Sequence, residues 1–177
     1  MRFVDTARIV VAVMVIACHP PGILLWFAVH PFAAFWRRLG AVWTYAILGV
    51  PTIGLIIGAV LLRKPLLMRD LGTSWVTIAL AVPCLATALL INRQRSQQLN
   101  FGKLSGLPEL SQDGPGTLLT QGIYSRLRHP RYVEVTLWVL GYALFANYLG
   151  AYVVLALSVP LILGVVVLEE RELRQRF

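Results

Sequence analysis

Four long apolar blocks constrain the fold of this chain more than any other feature. They cover residues 7–29, 41–62, 74–91 and 133–168. Each of the first three is near the roughly 20 residues that a helix needs to cross the hydrocarbon of a bilayer. The fourth is too long for one crossing, and Asn147-Tyr148-Leu149-Gly150 near its middle indicates a turn. We therefore predict an all-α integral membrane bundle of five transmembrane helices, the last two forming a helical hairpin.

The composition agrees with a membrane protein. Of 177 residues, 58% are hydrophobic and only 14% are charged, with a mean hydropathy of +0.72. Soluble domains hold about 45–50% apolar and roughly 25% charged residues. This length predicts one membrane domain: three spans in residues 1–91, a cytoplasmic loop with the polar motif in 92–132, and the hairpin with a cytoplasmic end in 133–177. We expect neither a second domain nor a metal site.

The basic residues lie between the apolar blocks. The net charge is +8, and anionic lipid and topology explain cations in such positions better than nucleic acid does. Alternate connections carry 5 cations against 11. The richer side should be cytoplasmic, which predicts an outside N-terminus and a cytoplasmic C-terminus, in a bacterial cytoplasmic membrane. The cations of that side are Arg37, Arg38, Arg93, Arg95, Lys103, Arg126, Arg128, Arg131, Arg171, Arg174 and Arg176.

Two polar segments stand at the edges of the apolar blocks. Residues 122–132 read Gly-Ile-Tyr-Ser-Arg-Leu-Arg-His-Pro-Arg-Tyr, and residues 169–173 read Glu-Glu-Arg-Glu-Leu. Ionisable groups beside membrane helices are costly and are functional candidates by default. The first segment brings cations, an imidazole and two phenols to a helix entrance, and the second brings carboxylates to a helix exit. Together they indicate a site for a small ligand that carries both an amine and a carboxylate.

These segments resemble the signature of the isoprenylcysteine carboxyl methyltransferase and phospholipid methyltransferase superfamily. That signature is Gly-x-Tyr-x3-Arg-His-Pro-x-Tyr, followed after a helical hairpin by Glu-Glu-x-x-Leu, and the resemblance covers residues 118–177. It implies S-adenosyl-L-methionine as the methyl donor and a lipophilic small molecule as the acceptor. It also implies, together with the charges discussed next, a set of cofactor-binding residues: Thr117, Leu118, Leu119, Gly122, Tyr124, Arg128, His129, Pro130, Arg131, Tyr132 and Glu169.

The chemistry of this donor matches the residue types. Glu169 suits the ammonium of the donor, and Arg128 or His129 suits its carboxylate, through charge-assisted hydrogen bonds. The rings of Tyr124 and Tyr132 can stack on adenine or lie near the sulfonium. Methyl transfer is an in-line displacement that depends mainly on alignment and on exclusion of water. We assign no catalytic residue, and a strong general base is not obligatory if the acceptor is already anionic.

Two positions depart from the superfamily pattern. Val165 stands where the isoprenylcysteine branch has an arginine associated with the substrate carboxylate. This argues against a prenylcysteine carboxylate as the acceptor. Glu134 stands where a glycine is usual, and we place it on the substrate side, where it could orient a polar acceptor or partly block the site.

Simpler interpretations compete for several polar residues. Arg128 and His129 alone could be cytoplasmic anchors, although the matched tyrosines and the distant glutamates favour a site. Glu170 and Glu172 are expected to form a solvated helix exit, paired with the arginines four residues later, which adds only about 0.2–0.5 kcal/mol per pair. His19 is interpreted as a neutral imidazole bonded to a carbonyl that the following prolines free.

Other polar residues are expected at the membrane surface. We interpret His30 and Trp36 as interfacial residues. Asn92, Arg93 and Arg95 are interpreted as a helix end with lipid-facing charge.

Two alternative functions remain open at this stage. One is a catalytically silent membrane scaffold that retains the methyltransferase fold, which Val165 and Glu134 favour. The other is a relative that reduces sterol double bonds with a nicotinamide cofactor. Those relatives are longer, with more spans, so the 177 residues of this chain count against it.

Overall fold

In the computed structural model, residues 2–97 and 121–176 are described, and within these ranges all regular structure is helical. Seven α-helices follow one another in the described residues: α1 Arg2–Val29, α2 Ala33–Leu39, α3 Ala41–Leu61, α4 Arg63–Leu67, α5 Trp75–Ser96, α6 Pro130–Ala146 and α7 Leu149–Arg176. Short 3-10 turns lie at His30–Phe32 and Gly122–Ser125. The predicted all-α class is confirmed.

Four helical segments of the described chain are long and apolar enough to cross a membrane. They are Phe3–Leu39, Ala41–Leu61, Trp75–Ser96 and Leu149–Arg174. Helix α6 has 17 residues, about 25 Å at 1.5 Å per residue, which is short of the roughly 20 residues of a typical span. The prediction of a multi-pass helical membrane protein is therefore confirmed, with four helices of spanning length and α6 as a shorter fifth.

Local sequence signals fix where these helices begin and end. The Ser74 hydroxyl caps α5 by accepting the Thr77 amide, as N-cap serines commonly do. Pro130 occupies the first turn of α6, where its missing N–H costs nothing. Asn147 ends α6 in the left-handed region at φ 53°, which asparagine tolerates better than most residues. The predicted turn between the hairpin helices is thus confirmed.

Several prolines lie inside the longest helices rather than at helix ends. Pro20 and Pro21 stand within α1, and Pro160 within α7. Neighbouring helices can satisfy the carbonyls that prolines release in a membrane helix. Beside the first pair, His19 Nε2 is buried and has no hydrogen-bond partner among the described residues. For this nitrogen the predicted bond to a freed carbonyl is absent.

Helix α1 is the centre of the packing, since it contacts α3, α6 and α7, while α5 packs along α6. Small side chains line one core cluster, where Ala12, Ala143, Ala146 and Ala151 are fully buried. Small residues let membrane helices approach closely, which favours dispersion contacts in the absence of a hydrophobic driving force. A second cluster, built on Ile23, Ile162 and Val165, joins α1 to α7.

One end of the bundle, here called the Arg8 end, is held by a buried guanidinium. Arg8 is 2% exposed. It donates to the Ala146 carbonyl at 3.0 Å, to Thr73 Oγ1 at 2.9 Å and to Asp70 Oδ1 at 2.6 Å. The Tyr148 hydroxyl donates to the other oxygen of Asp70 at 3.0 Å. These bonds join the start of α1, the segment before α5 and the α6–α7 turn.

Candidate functional site

The second polar end of the bundle, here called the motif end, begins with the turn Gly122–Ser125. Gly122 has φ 61°, a left-handed conformation that favours glycine. The Ser125 hydroxyl closes the turn by donating to the Gly122 carbonyl at 2.7 Å. The turn packs against α5 and leaves Tyr124 half-buried.

Tyr124 stands among four charged groups of the motif end. Burial raises the pKa of Tyr124, the charges of Arg95 and Arg131 lower it, and those of Glu169 and Glu134 raise it further, with a net upward shift. The phenol is therefore neutral at physiological pH. A neutral hydroxyl can both donate and accept a hydrogen bond, which suits a ligand with mixed charges.

The next part of the motif places an imidazole at the start of α6. His129 is the N-cap residue, outside the helix at φ −128° and ψ 65°, and Pro130 behind it is fully buried. His129 Nε2 lies 3.2 Å from Glu170 Oε1. The ring centroid of His129 is 5.9 Å from that of Tyr132, one turn into the helix. The start of α6 thus faces the end of α7.

Glu169 has the most informative carboxylate of the site. Its Oε2 lies 3.8 Å from His129 Nδ1, and this oxygen is buried without a hydrogen-bond partner among the described residues. A buried acceptor without a donor costs about 1–3 kcal/mol, and more when it is charged. An ammonium group is the kind of ligand that removes this cost.

Glu170 is held within the protein. It accepts from Arg128 Nη1 at 3.4 Å and from Arg174 Nη2 at 3.5 Å, in addition to its contact with His129. The predicted pair of Glu170 with Arg174 is confirmed. The prediction of a merely solvated glutamate was incomplete, because Glu170 also positions His129. Arg128 is 83% exposed and lies at the rim.

The contacts of Glu172 differ from those that the sequence predicts for the end of α7. Its carboxylate lies 3.0 Å from His30 Nδ1 and accepts from Arg37 Nη1 at 3.0 Å, and the side chain is 14% exposed. The prediction of a solvated helix exit was wrong for Glu172. The segment that follows α1, here called the elbow, consists of the 3-10 turn His30–Phe32 and helix α2, and it folds back onto α7. The expected partner of Glu172 is Arg176, whose side chain is not among those that the structure describes.

The same elbow buries two residues that were expected at the interface. His30 stacks on Trp26 with ring centroids 5.3 Å apart and is buried. Trp36 is also buried and donates from Nε1 to the Ala28 carbonyl at 2.8 Å. Both side chains thus pack inside the protein, and their predicted place at the level of the membrane surface stays a prediction. Trp26 lies under the guanidinium of Arg131 as well, at 4.2 Å, so one indole links the starts of α6 and of the elbow.

Glu134 joins α6 to α5 through both carboxylate oxygens. Asn92 Nδ2 donates to Oε1 at 2.7 Å, and Arg95 Nε donates to Oε2 at 2.8 Å. Glu134 and Arg95 are both buried. The expectation of lipid-facing charge was therefore wrong for Arg95, whereas Arg93 is exposed.

The structure brings some of the sequence-predicted residues together and separates others. Tyr124, His129, Tyr132 and Glu169 gather where α6 begins and α7 ends, while Arg131 turns to Trp26. Thr117, Leu118 and Leu119 lie outside the described residues. Arg95 and Asn92 were missed as members of the site. Their spacing of three residues in an otherwise apolar helix was the available signal.

The fold and this site define a multi-pass helical membrane protein with a cluster of polar, charge-paired side chains at one end of its bundle. The profile of the phospholipid methyltransferase family matches residues 76–177. This match covers more than half of the chain, from the first turn of α5 onwards, and the chain belongs to the phospholipid methyltransferase family. The superfamily resemblance seen in the sequence is confirmed. No curated protein and no solved structure matches the chain.

Proposed function

We propose that the protein transfers a methyl group from S-adenosyl-L-methionine to a small lipophilic acceptor at the cytoplasmic face of the membrane. Membership of a family of membrane methyltransferases supports the reaction class. The observation that carries the choice of donor is Glu169 Oε2, a buried carboxylate oxygen without a donor among the described residues. The ammonium of an amino-acid moiety supplies three donors.

The residues of the motif end fit the other parts of this donor. Tyr124 and Tyr132 offer aromatic faces, which attract a sulfonium or stack on adenine. His129, placed between two glutamates, holds the entrance of α6 against α7. In our proposal Glu169 binds the ammonium, and the turn around Gly122 and Tyr124 lines the nucleoside side.

When bound, the donor would supply a methyl group on a positively charged sulfur: the acceptor atom would form a bond to the methyl carbon as the carbon–sulfur bond breaks in line, and the sulfur would leave as a neutral thioether. The protein aligns the two reactants and excludes water, and such alignment can supply many orders of magnitude in rate. Glu170 contributes by fixing His129 at 3.2 Å. We assign no general base.

Several features limit the acceptor. The helices of spanning length suit an acceptor that arrives from the bilayer. Val165 is 2% exposed and packs beside Ile23 and Ile162, so the position where a carboxylate-binding arginine stands in one branch is apolar here. This supports an acceptor other than a prenylcysteine carboxylate. The cation-rich motif end supports the cytoplasmic orientation in a bacterial membrane.

Calorimetric titration of S-adenosyl-L-methionine into the detergent-purified protein tests the donor. Saturable binding is expected for the wild type and a strongly weakened affinity for Glu169→Gln. Membrane lipids are then incubated with protein and donor carrying a labelled methyl group, and label should appear in the lipid extract. Absence of binding by a folded sample would overturn the proposal and favour a catalytically silent scaffold.

A further inference from the structure

Arg95 and Glu134 form a buried ion pair at the crossing of α5 and α6. Their side chains are 9% and 6% exposed, with Nε and Oε2 2.8 Å apart. Asn92 occupies the remaining carboxylate oxygen at 2.7 Å. Glu134 is therefore fully engaged in holding one edge of the Arg95 guanidinium.

Stability alone is a weak reason for such a pair. Removing two charges from water costs several kcal/mol for each ion, and apolar residues of similar volume are often as good or better. Helices α5 and α6 already pack closely along each other, with Gly141 of α6 against Leu85 and Ala81 of α5. Among the described residues the hydrogen bond of Arg95 uses Nε, and the two terminal nitrogens Nη1 and Nη2 of an arginine held in this way have the geometry that binds a carboxylate with two parallel hydrogen bonds.

The donor of the proposed reaction carries a carboxylate that needs a cation. The two cations suggested by the sequence are poorly suited to it. Arg128 is 83% exposed and bonds to Glu170, and His129 lies between Glu169 and Glu170. Arg95 is a buried arginine of the motif end, and its helix contacts the turn that carries Tyr124.

We propose that Arg95, held in position by Glu134 and Asn92, binds the carboxylate of the methyl donor. This inference rests on the proposed function and deepens it. It assigns the two charges of the amino-acid moiety to different helices, with the ammonium on Glu169 of α7 and the carboxylate on Arg95 of α5. Binding of the donor then bridges α5 and α7 across the start of α6.

Two ligands that differ by one carboxylate test this assignment. S-adenosyl-L-methionine and its decarboxylated analogue share the nucleoside, the sulfonium and the amine. In Arg95→Gln, the affinity for the intact donor should fall about 10- to 100-fold, the range of a lost charge-assisted pair. The affinity for the decarboxylated analogue should change less than about 2-fold. Arg93→Gln is the matched control, since Arg93 is exposed on the same helix end, and it should affect neither ligand.

A second variant separates recognition from folding. Arg95→Gln leaves Glu134 buried without its cation, which can unfold the crossing. Arg95→Met combined with Glu134→Leu removes both charges together and should keep the fold, as measured by circular dichroism and gel filtration. This double variant should also lose the discrimination between the two ligands.

Three results would overturn the proposal. Equal losses for both ligands in the folded variants would make Arg95 a purely structural residue, while the proposed function would stand. An unchanged donor affinity with a raised KM for a lipid acceptor would assign Arg95 to an anionic group of the acceptor. A wild type that binds neither ligand would remove the proposed function itself.

Discussion

The two polar ends of the bundle use similar residues in different ways. At the Arg8 end, three nitrogens of one guanidinium have acceptors within 3.0 Å, and both oxygens of Asp70 have donors. At the motif end, Glu169 Oε2 and His30 Nε2 are buried without partners in the part of the chain that is described. One network is complete, and the other has unused hydrogen-bonding capacity.

This difference separates a structural polar cluster from a binding one. A buried network whose members are all satisfied fixes the positions of helices and has nothing left for a ligand. Unsatisfied buried groups cost free energy, so their presence beside aromatic rings and charges points to binding. An arginine or glutamate beside a membrane helix does not by itself show whether its cluster is structural or binds a ligand.

The largest expected effect is on the stability of the Arg8 end. Arg8→Gln removes a charge that satisfies the Ala146 carbonyl and Asp70, and should lower the free energy of unfolding by about 3 kcal/mol. Unfolding of the protein in mixed micelles with increasing dodecyl sulfate measures it. Arg63→Gln is the control, because Arg63 is exposed and, among the described residues, donates to the Val60 carbonyl three positions earlier. Equal losses in both variants would contradict a structural role specific to Arg8.

The next largest effect is expected at the motif end, where a substitution should lower the affinity for the donor rather than the stability of the fold. Glu169→Gln should weaken S-adenosyl-L-methionine binding by about 10- to 100-fold, since it removes one charge-assisted contact. Its free energy of unfolding should stay within about 0.5 kcal/mol of the wild type, because the only ion pair of Glu169 among the described residues is the long 3.8 Å contact with His129. Calorimetry and micelle unfolding on the same sample check both. A variant that loses stability but keeps its affinity would reverse the comparison between the two ends.

Glu172 should behave as a structural residue inside the functional end. Because it holds His30 and Arg37, Glu172→Gln should lower the free energy of unfolding by about 1–2 kcal/mol. Donor affinity should fall much less than in the Glu169 variant, and the same order is expected for alanine substitutions at the two positions. Titration of the donor into both purified variants measures this, and equal losses of affinity would refute the assignment of Glu169 as the ammonium ligand.

The smallest expected effect is on how the stability of the Arg8 end depends on pH. Burial raises the pKa of Asp70, but hydrogen bonds from the Gly72 amide, Arg8 and Tyr148 lower it more, and the net shift is below the usual 3.8. Asp70 therefore stabilises the fold above that value, and the contribution is lost as the pH falls through the lowered pKa. Since Asp70 is 48% exposed, the effect should be at most about 1 kcal/mol. The stability difference between wild type and Asp70→Asn should shrink below about pH 4, and a constant difference would argue against it.

Much of the architecture could be predicted from the sequence because its causes are local. Spans follow from hydropathy, the α6–α7 turn from Asn147, and the start of α6 from Pro130. The meeting of His129 with Glu169 also followed, since the second helix of a hairpin returns the chain to the level at which the first helix began. These features depend on residues near one another along the chain.

Other contacts depend on how helices cross, which the sequence alone does not specify. The spacing of Glu172 to residue 176 suggested a pair along one helix, but the 3-10 elbow at His30 brought a partner from the far end of the chain. Arg95 and Glu134 were each visible as charges in apolar surroundings. Their pairing depends on the α5–α6 crossing, because the two residues are 39 positions apart along the chain.

The short length of α6 has a consequence for the lipid around the protein. Its 17 residues give about 25 Å, against a hydrocarbon core of about 30 Å. Such mismatch is relieved by local thinning of the bilayer, at fractions of a kcal/mol per Å. We therefore expect bilayers of shorter acyl chains to match α6 best, so the response of this protein to acyl-chain length should reflect the thickness of the lipid around that helix.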